Sequence, residues 1–195
     1  MRPVRVVNGR MVPLDRADVD TDQIMPARHL KRIERTGYGE LVFGDWRGDP
    51  GFVLNDRRYA GATVLVTGPN FGSGSSREHA PWGLQQYGFQ AVVAPSFADI
   101  FRANCAKIGL LTVTVPAADC CRLLGVATAD PGTVCTIDLP SQRLRAGDVD
   151  AGFTIDADTK RRLLVGMDDV AATLRLADAI AAFEGERPAW LPTTR

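Results

Sequence analysis

Phe71-Gly72-Ser73-Gly74-Ser75-Ser76-Arg77-Glu78-His79-Ala80 lies between an apolar run, Ala62-Thr-Val-Leu-Val-Thr-Gly68, and a helix-like run that ends near Tyr87-Gly88. A glycine-rich turn from a strand into a helix leaves backbone N–H groups facing outward, where the helix dipole favours negative charge. Gly72 and Gly74 permit positive φ and close approach of a ligand. Ser75, Ser76 and Arg77 set two hydroxyls and a forked cation beside those N–H groups. The stretch reads as a cradle for a carboxylate or phosphate, with a nucleophile or base inside it.

Common glycine-loop motifs do not fit. A dinucleotide fingerprint from Gly72 needs glycine where Arg77 stands, a P-loop needs a lysine, and a nucleophile elbow from Gly74 needs glycine where Glu78 stands. The plain alternative is a helix cap, because Ser75 and Glu78 have capping-box spacing. Pro81 opposes that version, since it would fall inside the helix. A helix that begins nearer Pro81 leaves 72–79 as an extended loop.

Working outward, residues 62–115 alternate strand and helix. A strand at 62–68 leads into the loop and its helix, and Ala91-Val-Val-Ala94 is the next strand. A helix follows over Phe97–Lys107, with Ser96 as its N-cap and Gly109 after it, then a strand at Leu110–Val115. This βαβαβ order predicts an α/β fold. Upstream, Asn8-Gly9-Arg10 between Val4–Val7 and Met11–Leu14 predicts an N-terminal hairpin. Asp18, Asp20 and Asp22 alternate without the glycine and glutamate of a calcium loop, so they read as a polar turn with side-chain caps. Residues 26–60 are broken by glycine and proline and carry Arg28-His29-Leu30-Lys31-Arg32, which reads as a binding loop or a solvated basic face. Phe43, Trp46 and Phe52 offer that segment an anchor on a partner. Downstream, Ala118–Leu124 is a short helix. Val134–Leu139 with Gln142–Arg145 is a second hairpin, and Phe153–Ile155 a short strand. Asp158–Val165 and Asp168–Glu184 are helical, the latter amphipathic, before a closing Arg187-Pro-Ala-Trp190.

The whole chain bounds the partners. Its 195 residues are 45% hydrophobic with 23 basic and 23 acidic side chains, so it suits one compact domain with no electrostatic case for nucleic acid or an anionic membrane. No apolar run reaches the ~20 residues of a membrane span, and residues 1–5 lack a signal-peptide core. A cytoplasmic protein is expected. Cys105, Cys120, Cys121 and Cys135 form no C-x-x-C pair, and only His29 and His79 accompany them. Reduced, buried thiols are expected rather than a metal or iron–sulfur site.

Asp20-Thr-Asp-Gln-Ile24, Phe71 to Ala80 and Pro95-Ser-Phe-Ala-Asp-Ile-Phe-Arg-Ala-Asn104 together resemble the aconitase superfamily. The match is to its swivelling domain, and most closely to the small-subunit family of bacterial 3-isopropylmalate dehydratases. The resemblance runs from Asn8-Gly9 through Leu30–Gly37 to Gly166–Asp169 and Arg187–Trp190. It implies a single swivelling β/β/α domain: a hairpin and turn over 1–25, a mobile loop region over 26–60, a βαβαβ core over 61–116, and a hairpin with a helical tail over 117–195. It also implies a two-subunit hydro-lyase that interconverts 2- and 3-isopropylmalate in leucine biosynthesis. The large subunit would carry a [4Fe–4S] cluster and this chain none. Ser75 would be the base that takes the C–H proton, and Arg77 would bind a substrate carboxylate. Gly74, Ser76, His29 and Lys31 would complete the substrate contacts.

The residues read alone agree with that division. Fixed N–H donors and Arg77 suit the anion formed by proton abstraction, and the same donors stabilise a serine alkoxide. Expelling hydroxide needs a Lewis acid for which this chain has no ligands. Two features depart from the family pattern. His29 replaces the aromatic residue often found before Leu-Lys-Arg, in a loop implicated in reading the substrate's variable group, and Asp156–Lys160 is short and polar. A related hydro-lyase for another small 2-hydroxy diacid is the enzyme alternative. A stand-alone anion-binding regulatory module is the non-enzyme alternative.

Overall fold

The computed structural model describes residues 1–188 together with Trp190 and Leu191. Of the closing Arg187–Trp190 run, Ala189 lies outside the described residues, as do 192–195 of the tail. Seven strands form one sheet: β1 (Val6–Leu14), β2 (Val64–Thr67), β3 (Ala91–Ala94), β4 (Leu111–Thr114), β5 (Val134–Asp138), β6 (Arg143–Ala146) and β7 (Val149–Gly152), in the order β4-β3-β2-β1-β5-β6-β7. β1 to β4 pair in parallel, and β1 with β5 to β7 pair antiparallel.

Every residue of β2 and β3 is buried. Val64, Val66, Ala91 and Val93 face a core shared with Cys120, Leu123, Leu144 and Ala151, while Leu65, Val92 and Ala94 face one shared with Leu84, Phe101 and Phe43. Covering both faces is what parallel strands require, and it explains their unbroken apolar runs. The first face is closed by α4 (Ala117–Ala129) and by the inner sides of β5 to β7. The second is closed by α2 (His79–Tyr87), α3 (Asp99–Ile108) and the segment 38–59. β5, β6 and β7 alternate buried and exposed residues, as strands with one solvated face do.

The expected N-terminal hairpin is not formed. Asn8-Gly9-Arg10 lies inside the nine-residue strand β1, and neither Asn8 nor Gly9 takes the positive φ that a two-residue turn needs. The strand changes partner there: Val6–Arg10 pair with β5, and Met11–Leu14 pair with β2. Glycine is required for close approach rather than for a turn, because a Cβ on Gly9 would lie 1.8 Å from Thr63 Oγ1.

Other boundaries also move. α3 starts at Asp99 after Ala98, and Ser96 Oγ instead accepts from the Asn70 N–H at 2.8 Å. The short helix expected at 118–124 is the thirteen-residue α4. The strand expected at 153–155 is β7 at Val149–Gly152, because Ala146 and Val149 pair across a two-residue Gly147-Asp148 turn. Asp156 caps α5 (Ala157–Val165) through the Thr159 N–H, and Lys160 donates to Pro140 O and Gln142 Oε1, which accounts for the polarity of 156–160. The run 168–184 divides into α6 (Asp169–Leu174) and α7 (Ala177–Gly185), neither with a buried residue.

Residues 26–60 hold single 3-10 turns at Ala27–His29, Gly39–Leu41, Val53–Asn55 and Arg57–Tyr59. Residues 31–37 are exposed, whereas Tyr38, Val42, Phe43, Phe52 and Tyr59 are buried. The aromatic trio that suggested an anchor on a partner packs on itself: Phe43 stacks on Trp46 at 5.3 Å, and Phe52 meets both rings edge-on.

Candidate active site

The glycine-rich loop leaves the C-terminal end of β2 and enters α2 at His79. Opening the helix this late settles the place of Pro81. It stands in the first turn, where its missing N–H has no intrahelical partner to lose. Glu78 is the residue before the helix, and no side chain caps that end, so Ser75 and Glu78 form no capping box. Gly72 has φ +79°, and a Cβ there would lie 2.2 Å from Phe101 Cγ; Gly74 has φ +84°. The first glycine is therefore fixed by space as well as by dihedral angle. The loop's base is buried at Phe71 and Gly72, while Gly74, Ser75 and Ser76 are exposed.

The loop rests on the polar turn of the three aspartates. Asp20 caps the one-turn helix α1 (Thr21–Ile24) by accepting from the Gln23 N–H at 2.8 Å, and Gln23 Oε1 accepts the Asp20 N–H at 3.0 Å. This is the chain's capping box, found at Asp20-Thr-Asp-Gln rather than at Ser75. The Gly72 N–H donates to Val19 O at 2.7 Å, the Thr21 N–H to Ser73 O at 2.9 Å, and the Thr21 hydroxyl to Ser75 O at 2.9 Å. Asp22 then accepts a hydrogen bond from Arg77 Nη1, whose side chain is 18% exposed. A carboxylate beside a guanidinium fixes where the fork points. Asp22, expected only as part of a polar turn, is the partner of Arg77. It lies 55 positions from Arg77, and the alternating aspartates mark the turn that carries it but not its partner.

His29 and Lys31 are not bonded to this cluster. Among the described residues, no hydrogen bond or ion pair joins either to residues 72–77. His29 ends a 3-10 turn, and slight burial with Arg28 and Arg32 nearby lowers its pKa, with Asp45 opposing. That shift favours the neutral imidazole. The stretch that follows is fastened to α2 through Gln86, which accepts the Tyr38 N–H at 2.9 Å and donates to Arg35 O at 2.8 Å. His79 packs against Tyr38 and Trp82, with ring centroids 5.4 and 4.9 Å away, so it reads as structural.

Among the described residues, no three His, Cys, Asp or Glu side chains gather as metal ligands. Cys105, Cys120 and Cys135 are buried. Burial pushes the Cys105 thiol far up and the other two up to about 12, against the thiolate that a cluster needs. Among the described residues no set of side chains is gathered to hold an iron–sulfur cluster. No helix among the described residues is long and apolar enough to cross a membrane.

Comparison with known proteins gives a consistent result. The Aconitase C-terminal domain family matches residues 1–118, and the family of the C-terminal domain of the 3-isopropylmalate dehydratase small subunit matches residues 169–194. The 3-isopropylmalate dehydratase small subunit of Acidothermus cellulolyticus is 55% identical over 195 residues, covering 100% of this chain and 99% of that one. The protein of the same description from Parafrankia sp. is 54% identical over 194 residues, covering 100% of both. The crystal structure of a 3-isopropylmalate dehydratase from Methanocaldococcus jannaschii superposes with a TM-score of 0.64 at 26% identity. The match spans 92% of this chain and 99% of that one.

Proposed function

The chain belongs to the 3-isopropylmalate dehydratase small-subunit family, its residues 1–118 matching the aconitase C-terminal domain family, and from that premise we propose how its residues serve the reaction. The enzyme is a hydro-lyase that interconverts 2- and 3-isopropylmalate by dehydration and rehydration in leucine biosynthesis, and this chain is its small subunit. In the cytoplasm it pairs with a large subunit, the partner that the relatives' description implies.

Ser75 is the base. As an alkoxide it takes the proton from the carbon next to a carboxylate, and the electron pair left behind spreads onto that carboxylate. The outward N–H groups of the 74–78 loop and the Arg77 fork bind the charge that accumulates, and Ser76 and Gly74 complete the cradle. Asp22 holds Arg77 in place before the diacid arrives. His29 and Lys31 face the substrate's variable group across the subunit interface. Loss of hydroxide from the neighbouring carbon needs a Lewis acid, supplied in this reading by a [4Fe–4S] cluster on the large subunit.

The observation that carries this reading is the supported loop. Ser75 and Ser76 stand exposed on a backbone tied from beneath to α1, with Arg77 already oriented. The test is reconstitution. The purified chain should be colourless and inactive, and turnover of isopropylmalate should appear on mixing with the cluster-bearing large subunit, ahead of other small 2-hydroxy diacids in a panel. Iron bound stoichiometrically to the isolated chain, turnover without a partner, or preference for another diacid would overturn the corresponding part.

A further inference from the structure

Thr21 is one of three buried polar residues among those described, at 1% exposure, and the reaction outlined above makes no use of its hydroxyl. That hydroxyl donates to the Ser75 carbonyl at 2.9 Å. A peptide unit is planar, and no cis bond occurs among the described residues, so the Ser75 carbonyl and the Ser76 N–H point in opposite directions. With the carbonyl drawn inward onto a buried hydroxyl, the Ser76 N–H turns outward, to the side on which Ser75 and Ser76 are exposed. Among the described residues no acceptor takes that N–H. Both serines lie outside any helix or strand, so no ladder bond fixes the peptide between them. The Thr21 hydroxyl is its anchor.

We propose that Thr21 is a positioning residue that aims the Ser76 N–H at the carboxylate on which charge accumulates when Ser75 removes the adjacent proton. The inference rests on the Ser75 reading and names what fixes one of its backbone donors. A donor held in place before reaction stabilises the developing anion without reorganising, and it binds the ground-state diacid less strongly than the carbanion. Thr21 touches no reacting atom. It acts through one peptide plane.

The test is Thr21→Val in the full chain, reconstituted with the large subunit. Valine keeps the branched shape and replaces the hydroxyl with a methyl that cannot donate. Two quantities are compared: steady-state kcat and KM, and the affinity of a nitronate analogue of the carbanion, in which the nitro group replaces the charged carboxylate. The expected result is a parallel fall in kcat and nitronate affinity, on the order of 10²-fold, with KM within about threefold, and recovery of both in Thr21→Ser. If valine weakens assembly, Thr21→Cys, a weaker donor of similar size, should give an intermediate loss in both quantities. A fall in kcat with nitronate affinity intact, or wild-type values throughout, would overturn the proposal. Ser75→Ala separates the two readings, because it should lose kcat while keeping nitronate affinity. If Ser75→Ala kept its kcat, the base assignment would fail, and the nitronate response to Thr21→Val would still decide the role of Thr21.

Discussion

Residues 72–78 turn polar side chains outward over a backbone held from beneath, whereas residues 38–59 turn aromatic side chains inward from a backbone that wanders over the surface. In the first stretch, glycine dihedrals and the hydrogen bonds with Val19, Thr21 and Asp22 set the shape, and the tip at 74–76 is exposed. In the second, Tyr38, Val42, Phe43, Phe52 and Tyr59 are buried against the sheet, and single 3-10 turns are the means of placing them. Both read as loops, yet one is irregular to present groups and the other to bury them. Substitution in the first should change chemistry at constant stability, and substitution in the second should do the reverse.

The largest expected effect tests the first half of that contrast. Ser75→Ala should lower kcat of the reconstituted enzyme about 10²–10⁴-fold, the range for a positioned base, with KM and thermal midpoint nearly unchanged. Ser76→Ala should be milder and appear mainly in binding. A normal kcat in Ser75→Ala beside an abolished one in Ser76→Ala would shift the base by one residue. Phe43→Ala tests the other half. It should cost about 3–5 kcal/mol in urea unfolding, while kcat per folded, assembled enzyme stays close to wild type. A Phe43→Ala enzyme that lost turnover without losing stability would erase the distinction. Arg77→Lys keeps the charge but loses the fork that Asp22 orients, so KM should rise on the order of tenfold. An unchanged KM would remove Arg77 from substrate binding.

Sequence reading located these stretches better than it divided them. β2 and β3 were legible because both their faces are covered, which leaves an apolar run that nothing else explains. The loop at 72–79 was legible because two glycines and Pro81 together exclude a simple cap. The hairpin at Asn8-Gly9 was misread because a turn signal is local, while the partner that keeps β1 straight enters at Val134. Likewise Asp22 and Thr21 act on residues more than fifty positions away, and spacing along the chain carries no mark of that. The aromatic trio suits an anchor on a partner by composition, which does not tell a buried ring from an exposed one.

Two smaller measurements refine the contrast. Hydrogen exchange should divide 26–60: fast at 31–37, which is exposed, and slower at 41–47, where Phe43 and Trp46 stack. Protection across 31–37 equal to that of 91–94 would contradict this. A maleimide should label the native chain at Cys121, the exposed thiol, and leave Cys105, Cys120 and Cys135 unreacted. Separate Cys→Ser changes should leave kcat and the iron content of the assembled enzyme nearly constant, and iron lost with any one of them would give that cysteine a metal role.

β1 has a consequence for how the chain is made. Its second half finds β2 within roughly fifty residues, but the partner of its first half, β5, leaves the ribosome roughly 120 residues after Arg10. At ~5–20 residues per second, that is a wait of about 6–25 s. Through that interval the nascent chain carries an open strand edge at Val6–Arg10, with donors and acceptors that any passing strand can take. A slow codon or a stalled ribosome between 15 and 134 lengthens the exposure. A chaperone that binds the first dozen residues therefore protects this chain more than one that binds its tail.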